Sequence, residues 1–221
     1  MNAVLRSPWT LRLAALATLA LSTLILVNSL PYFTFRNSFS FLAEKGALSR
    51  DLLWRACFYG HVAGSLVCLV AGPALLSVGL LRRSRRVHGW LGRAYVGSVL
   101  GLAGPTGLVL AAHAKGGAAG RGAFFVLGIG WIATTALGLA ALPRRDFPAH
   151  VRWMARSWAI ALSAVTFRLF YAALYAADVP DATNYPLSLW LSVGAAVASG
   201  EWLARHPALD PTLILRKGAL S

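Results

Sequence analysis

Carboxylates are scarce in this chain. Its 221 residues include seven Asp and Glu against twenty-one Lys and Arg. Four of the seven (Glu44, Asp51, Asp178 and Asp181) fall between apolar runs, on the side read below as the outer one. A hydrolase built on paired carboxylates, or a proton pump that relays through buried acids, needs such groups inside the fold. Cysteine is almost as rare. Cys57 and Cys68 lie on one helical run, about 16 Å apart at the helical rise, so they cannot bridge each other. Nothing has the spacing of a zinc site, and the two thiols read as small apolar filler. A phosphate loop, a dinucleotide glycine fingerprint, a nucleophile elbow and an HExxH helix are all missing. No signature of a nucleotide-dependent enzyme or a hydrolase remains.

Apolar residues are plentiful. They make up 57% of the chain, charged residues 13%, and the mean hydropathy is +0.63. Several runs reach the roughly 20 residues needed to cross a hydrocarbon core. Six spans are expected, near 11–30, 54–81, 90–113, 122–142, 153–177 and 187–204. The fold class is therefore all-α: residues 1–221 form one integral membrane domain, a helical bundle in contact with the lipid bilayer. Arg6 and Arg12 ahead of Leu13–Leu30 imitate a signal peptide. No small-x-small cleavage site follows, so the segment reads as a membrane helix. The net charge of +14 would point to nucleic acid in a soluble chain. Here the cations sit in short loops between spans, which makes them topology determinants and excludes a nucleic-acid partner.

Fourteen Lys and Arg lie on the N-terminal side of the spans and six on the other. That bias puts both termini in the cytoplasm, in a bacterial inner membrane. Between the first two spans, Tyr32, Phe33, Phe35, Phe39 and Phe41 suit a segment lying in the interface.

Two cytoplasmic turns resemble each other. WLGRAY (90–95) aligns with WMARSW (153–158), and each opens a span. Spans two–three and four–five then form hairpins of equal polarity, which invites a parallel repeat about an axis normal to the membrane. Such a repeat would bring His88 and His150 together near the axis; chance likeness of two basic, Trp-bearing entrances is the plainer alternative.

Histidine is where chemistry is expected. Four of the five alternate between sides: His61 and His113 outside, His88 and His150 inside. His113 sits at a loop edge, and His206 ahead of Pro207 reads as solvated. Two imidazoles from facing helices are what a b-type haem needs. His88 and His150 are the candidate iron ligands, with Arg93, Arg152 and Arg156 within a turn or two for the propionates. On the outer side His61 pairs with Arg168, a charge inside a span that costs at least about 2.5 kcal/mol and is seldom left alone. A propionate, a quinone oxygen or a helix carbonyl would each serve it.

Gly60–Gly64 and Gly97–Gly101 are GxxxG pairs. His61, Gly64, Ser65, Cys68 and Gly72 form one thin stripe, and Ala161, Ala164, Arg168, Tyr171 and Tyr175 another. Such stripes admit a flat cofactor and equally serve plain helix packing. Pro105 is expected to kink the third span and free a carbonyl or two.

FYGHVAGSLVCLVAGP, RRVHGWLGRAYV, Trp131, AHVRWMARS and VTFRLF, taken in order, resemble a family of uncharacterised bacterial multi-pass membrane proteins, over about residues 58–170. Helices 11–30 and 187–204 lie outside this resemblance. It implies that His61, His88, His150 and Arg168 belong to the family pattern and that His113 does not. More loosely, the architecture is similar to cytochrome b561-type proteins, six-helix membrane proteins with two haems. Here the fourth span has no histidine, and His88 and His150 sit at the membrane edge, so at most one haem is implied. The functional expectation is binding of haem b or a quinone and electron transfer within the membrane, coupled to a quinone pool. The alternatives are an accessory subunit bound to other subunits of a membrane complex, and a small-solute or metal transporter.

Overall fold

The computed structural model describes residues 8–35, 40–76 and 78–209. Arg6 and Phe39, named above, and Arg36, Arg216 and Lys217, counted in the charge tally, lie outside them. The described residues are mostly helical, without strands, and six helices are long and apolar enough to cross a membrane.

Helix α1 (Pro8–Ser29) runs into a 3-10 turn at Leu30–Thr34, and a short α2 (Ser40–Glu44) precedes a second such turn at Gly46–Arg50. Helix α3 (Leu52–Leu76) is the second span. It starts at Asp51, whose carboxylate accepts the Trp54 N–H at 2.7 Å, satisfying one of the donors that a helix start leaves open. The expected second span ran to residue 81. In the structure α3 ends at Leu76, and Val78–Arg83 forms a separate short helix, α4.

The third span comprises α5 (Arg85–Ser98), a π-turn (Val99–Ala103) and α6 (Gly104–Ala112). Helix α7 (Gly117–Ala141) is the fourth, α8 (Phe147–Ala161) with α9 (Ser163–Ala176) the fifth, and α10 (Asp181–Ala204) the sixth. Spans three to six begin five or six residues earlier than hydropathy indicates, and polar caps start the third and the fifth. Ser84 Oγ accepts from the Val87 N–H (3.2 Å) and Asp146 Oδ1 from the Ala149 N–H (2.9 Å). His88 and His150 therefore sit in the first turns of helices rather than in loops.

Helix α7 packs along α8; α10 packs on α7, α8 and α9; α3 packs on α5, α6 and α8. Helix α1 touches only α3 and α9 among the other long helices with more than passing contact, and its outward face carries exposed Leu13, Leu16, Leu24 and Val27. In lipid, apolar burial no longer drives helices together, so small residues and close approach must do so. A methyl on Gly64 would lie 3.0 Å from Ala103 Cβ, and one on Gly60 3.0 Å from Leu102 Cδ1. This GxxxG pair is a packing site. Gly97 and Gly101 are not: no atom lies within 4 Å of a methyl added at either, which corrects the expectation of a second close approach there.

At the middle of the bundle four groups close a ring of hydrogen bonds. Trp131 Nε1–H donates to Tyr95 Oη (3.4 Å), which contacts Ser157 Oγ (2.9 Å); Ser157 meets Thr135 Oγ1 (2.7 Å), which donates to the Trp131 carbonyl (2.7 Å). Both ends are fixed, so Tyr95 must donate to Ser157 and Ser157 to Thr135. Three spans are tied together with every hydroxyl both donating and accepting, the condition under which a buried polar network stabilises a fold.

Candidate functional site

The π-turn decides the local geometry. Pro105 has no N–H to give, and the wider turn before it is a feature that recurs at functional sites. From this irregular stretch the Ala103 carbonyl meets His61 Nδ1 on α3 at 2.8 Å. A carbonyl only accepts, so Nδ1 carries the proton and the neutral ring presents a lone pair on Nε2. Gly107, one turn below Ala103, leaves room for the imidazole: a methyl there would sit 2.8 Å from His61 Nδ1. The carbonyl that holds His61 is not the one the missing Pro105 N–H leaves open, which lies four or five residues before the proline.

His61 lines a cavity of about 420 Å³, which extends from the loop residues Lys45 and Lys115 to Trp131, midway along α7. The walls are largely apolar, with Phe58, Leu66, Phe124, Leu127 and Ile160 among them. Arg168 on α9 lines the same cavity. Its Nη1 donates to the Ala164 carbonyl at 2.7 Å. No carboxylate among the described residues is paired with it. Arg168 is exposed by area yet lies inside a membrane span, and a cation there held by a single carbonyl is open to an electron-rich partner.

Two further cavity residues carry unmet polar atoms. Trp54 is 3% exposed, and its indole N–H, like the Ser65 hydroxyl, is buried without a partner. Trp54, Phe58 and Phe41 stack against one another near the outer end, at centroid separations of 5.6–6.4 Å.

Lys115 closes over that end. It bonds Asp181 at 2.9 Å and Glu44 at 3.4 Å, and Asp181 also accepts from the Tyr171 hydroxyl at 2.7 Å. The Asp181 bond in particular holds the Lys115 ammonium above its ordinary range. Lys45 donates to the His113 carbonyl at 2.9 Å. Burial pulls its ammonium below the usual value; Glu44 opposes that shift and the Lys115 charge adds to it. The His113 ring stays outside the cavity, exposed, with Nδ1 on its own Val109 carbonyl at 3.2 Å.

The inner residues make a different picture. His150 Nδ1 donates to the Gly138 carbonyl at 2.8 Å, while His88 Nδ1 is buried without a partner. The two imidazoles are near enough for the charge of one to act on the other, but neither lines the cavity. Of the arginines expected beside them, Arg156 forms a two-pronged pair with Glu201 (2.6 and 3.2 Å) and lies over Trp153 at 4.6 Å. Arg93 lies over Trp90 at 4.2 Å, and Arg152 is exposed. WLGRAY and WMARSW thus share a Trp–Arg stack, a local likeness that falls short of a repeat of whole hairpins. His206 is corrected: it is 6% exposed, packed edge-on against Trp202 at 5.1 Å, and not solvated.

Residues 58–203 match the model of the family described as "Predicted membrane protein (DUF2306)". The chain belongs to that family. The match takes in His61, Ser65, Ala103, Trp131 and Arg168, and it extends through most of α10, beyond the stretch the motifs delimit. Helix α1 and the Lys45 segment precede it. No curated protein and no solved structure matches the chain.

Trp54 and Ser65 were legible in principle as sharers of the His61 face, seven residues before it and four after. Lys45 and Lys115 were not, because loops that fold over a bundle end leave no periodic signal.

Proposed function

We propose that the outer cavity binds the head ring of a quinol or quinone from the membrane, and that the protein is an intramembrane redox component of a bacterial inner membrane. The observation that carries this is the fixed His61 ring. With Nδ1–H committed to Ala103, the neutral Nε2 is an acceptor facing a largely apolar chamber, suited to a ring hydroxyl. The same nitrogen would take up that hydroxyl's proton when a separate one-electron carrier protein accepts the ring's electrons. Arg168, a donor without a carboxylate, complements a carbonyl or ring oxyanion. Aromatic walls and a few convergent polar groups are the usual make-up of a small-molecule site. With both termini cytoplasmic, the chamber opens toward the outer face.

A second reading adds a b-type haem at the inner end, where it would supply one-electron transfer. His150, its Nδ1–H anchored on a carbonyl, has the support typical of a metal-bound imidazole, and His88 is its neighbour. The propionate partners fit less well, since Arg156 is already neutralised by Glu201.

Organic extraction of protein purified in mild detergent, followed by mass spectrometry, tests the first reading, and an absorption spectrum the second. Retained quinone, lost on Arg168→Gln, is the expected result. A preparation that retains no quinone, binds none when supplied, and copurifies with other membrane subunits would instead mark an accessory subunit.

A further inference from the structure

Hydroxyls inside membrane helices ordinarily bond the carbonyl four residues back. This protein follows the rule repeatedly: Ser29 to Ile25, Thr106 to Leu102, Thr134 to Gly130, Thr135 to Trp131 and Ser199 to Ala195, at 2.6–2.7 Å. Ser65 breaks it. Its hydroxyl is buried and makes no bond, and the residue belongs to the cavity wall. Ser22 on α1 also lacks a partner but does not line the cavity.

Ser65 lies four residues after His61, on the same face of α3, just over one helical turn or about 6 Å further along. Oxygens at opposite ends of a six-membered ring are separated by a similar span, whereas oxygens on adjacent ring carbons are much closer. We infer that the occupant is a para-quinol lying lengthwise along α3, with one ring oxygen on His61 Nε2 and the other on Ser65 Oγ. The inference rests on the quinol reading above and adds the isomer class and the residue that selects it. Both partners suit both ends: His61 accepts from a hydroxyl, and Ser65 donates to an oxygen or accepts from one. Trp131, held in the wall by its ring of hydrogen bonds, limits how far the ring descends.

The test is quenching of tryptophan emission by ligand binding, since Trp54 and Trp131 line the cavity. Protein in lipid nanodiscs is titrated with a decyl-substituted para-benzoquinol and, separately, with a decyl catechol. Wild type should bind the para isomer more tightly. Ser65→Ala should weaken para binding about two- to tenfold, the loss of one net hydrogen bond, and leave catechol binding unchanged. Ser65→Thr, which keeps the hydroxyl, should restore it. If Ser65→Ala binds the para isomer as wild type does, or weakens both isomers equally, Ser65 does not hold a ring oxygen and the inference falls while the quinol reading stands. Binding of neither isomer by wild type overturns both.

Discussion

Substituting Gly107 by alanine probes whether the His61 ring is held as described. A methyl at this position would stand 2.8 Å from His61 Nδ1 and 2.9 Å from Cε1, closer than such contacts tolerate. The imidazole must turn away, which breaks its 2.8 Å bond to the Ala103 carbonyl. Overpacking of this kind costs about 1–3 kcal/mol. Alanine also improves helix propensity by about 0.5–1 kcal/mol, so the raw effect understates the clash. Gly97→Ala supplies the control, because it lies in the same span and meets nothing within 4 Å; it should be neutral or mildly stabilising. The difference between the two variants isolates the clash at about 1–3 kcal/mol. For a chain of this size that corresponds to very roughly 2–12 °C in midpoint, measurable by thermal unfolding in nanodiscs. Gly107→Ala should also bind quinol more weakly, while Gly97→Ala should not. Equal midpoints and equal affinities in the two variants would refute the described fit of His61 against α6.

Tyr95→Phe removes the hydroxyl that both accepts from Trp131 and donates to Ser157; the loss should cost about 1–3 kcal/mol in unfolding free energy, and an unchanged midpoint would show that the ring of bonds contributes nothing. The Lys115 clasp should be insensitive to pH across the neutral range. Its folded pKa is raised above the ordinary 10.5, chiefly by the Asp181 bond, so its stabilisation is full below 10.5 and is lost as pH climbs through the higher folded value. Midpoints of wild type and Lys115→Met should therefore stay separated below that value and converge above it; convergence already near pH 8 would contradict the assignment.

Much of the scaffold was readable from hydropathy and charge, because a membrane allows only long apolar helices and the sequence has six. Ser84 and Asp146 show where that signal stops: caps extended α5 and α8 outward past their apolar cores, and with them His88 and His150. His61 and Arg168 were both singled out because an ionisable residue within a span stands out on its own, and both line the outer cavity. The role of Glu201 did not. It is drawn to Arg156 across 45 residues of chain, a meeting set by how α10 packs on α8. Gly60–Gly64 and Gly97–Gly101 share one pattern, yet only the first faces a helix, because spacing fixes which residues share a face and says nothing of what lies opposite. The unmet hydroxyl of Ser65 was likewise invisible, as serine in a helix normally satisfies itself.

Nitrogen-15 magnetic resonance of His61, in protein labelled at histidine and compared with His61→Gln to assign the signal, addresses the core of this account. The expected spectrum shows a neutral ring with hydrogen on Nδ1 and a bare Nε2, whose resonance moves toward the hydrogen-bonded range when a para-quinol is added. Hydrogen on Nε2 in the free protein, or an Nε2 resonance indifferent to saturating quinol, would contradict it.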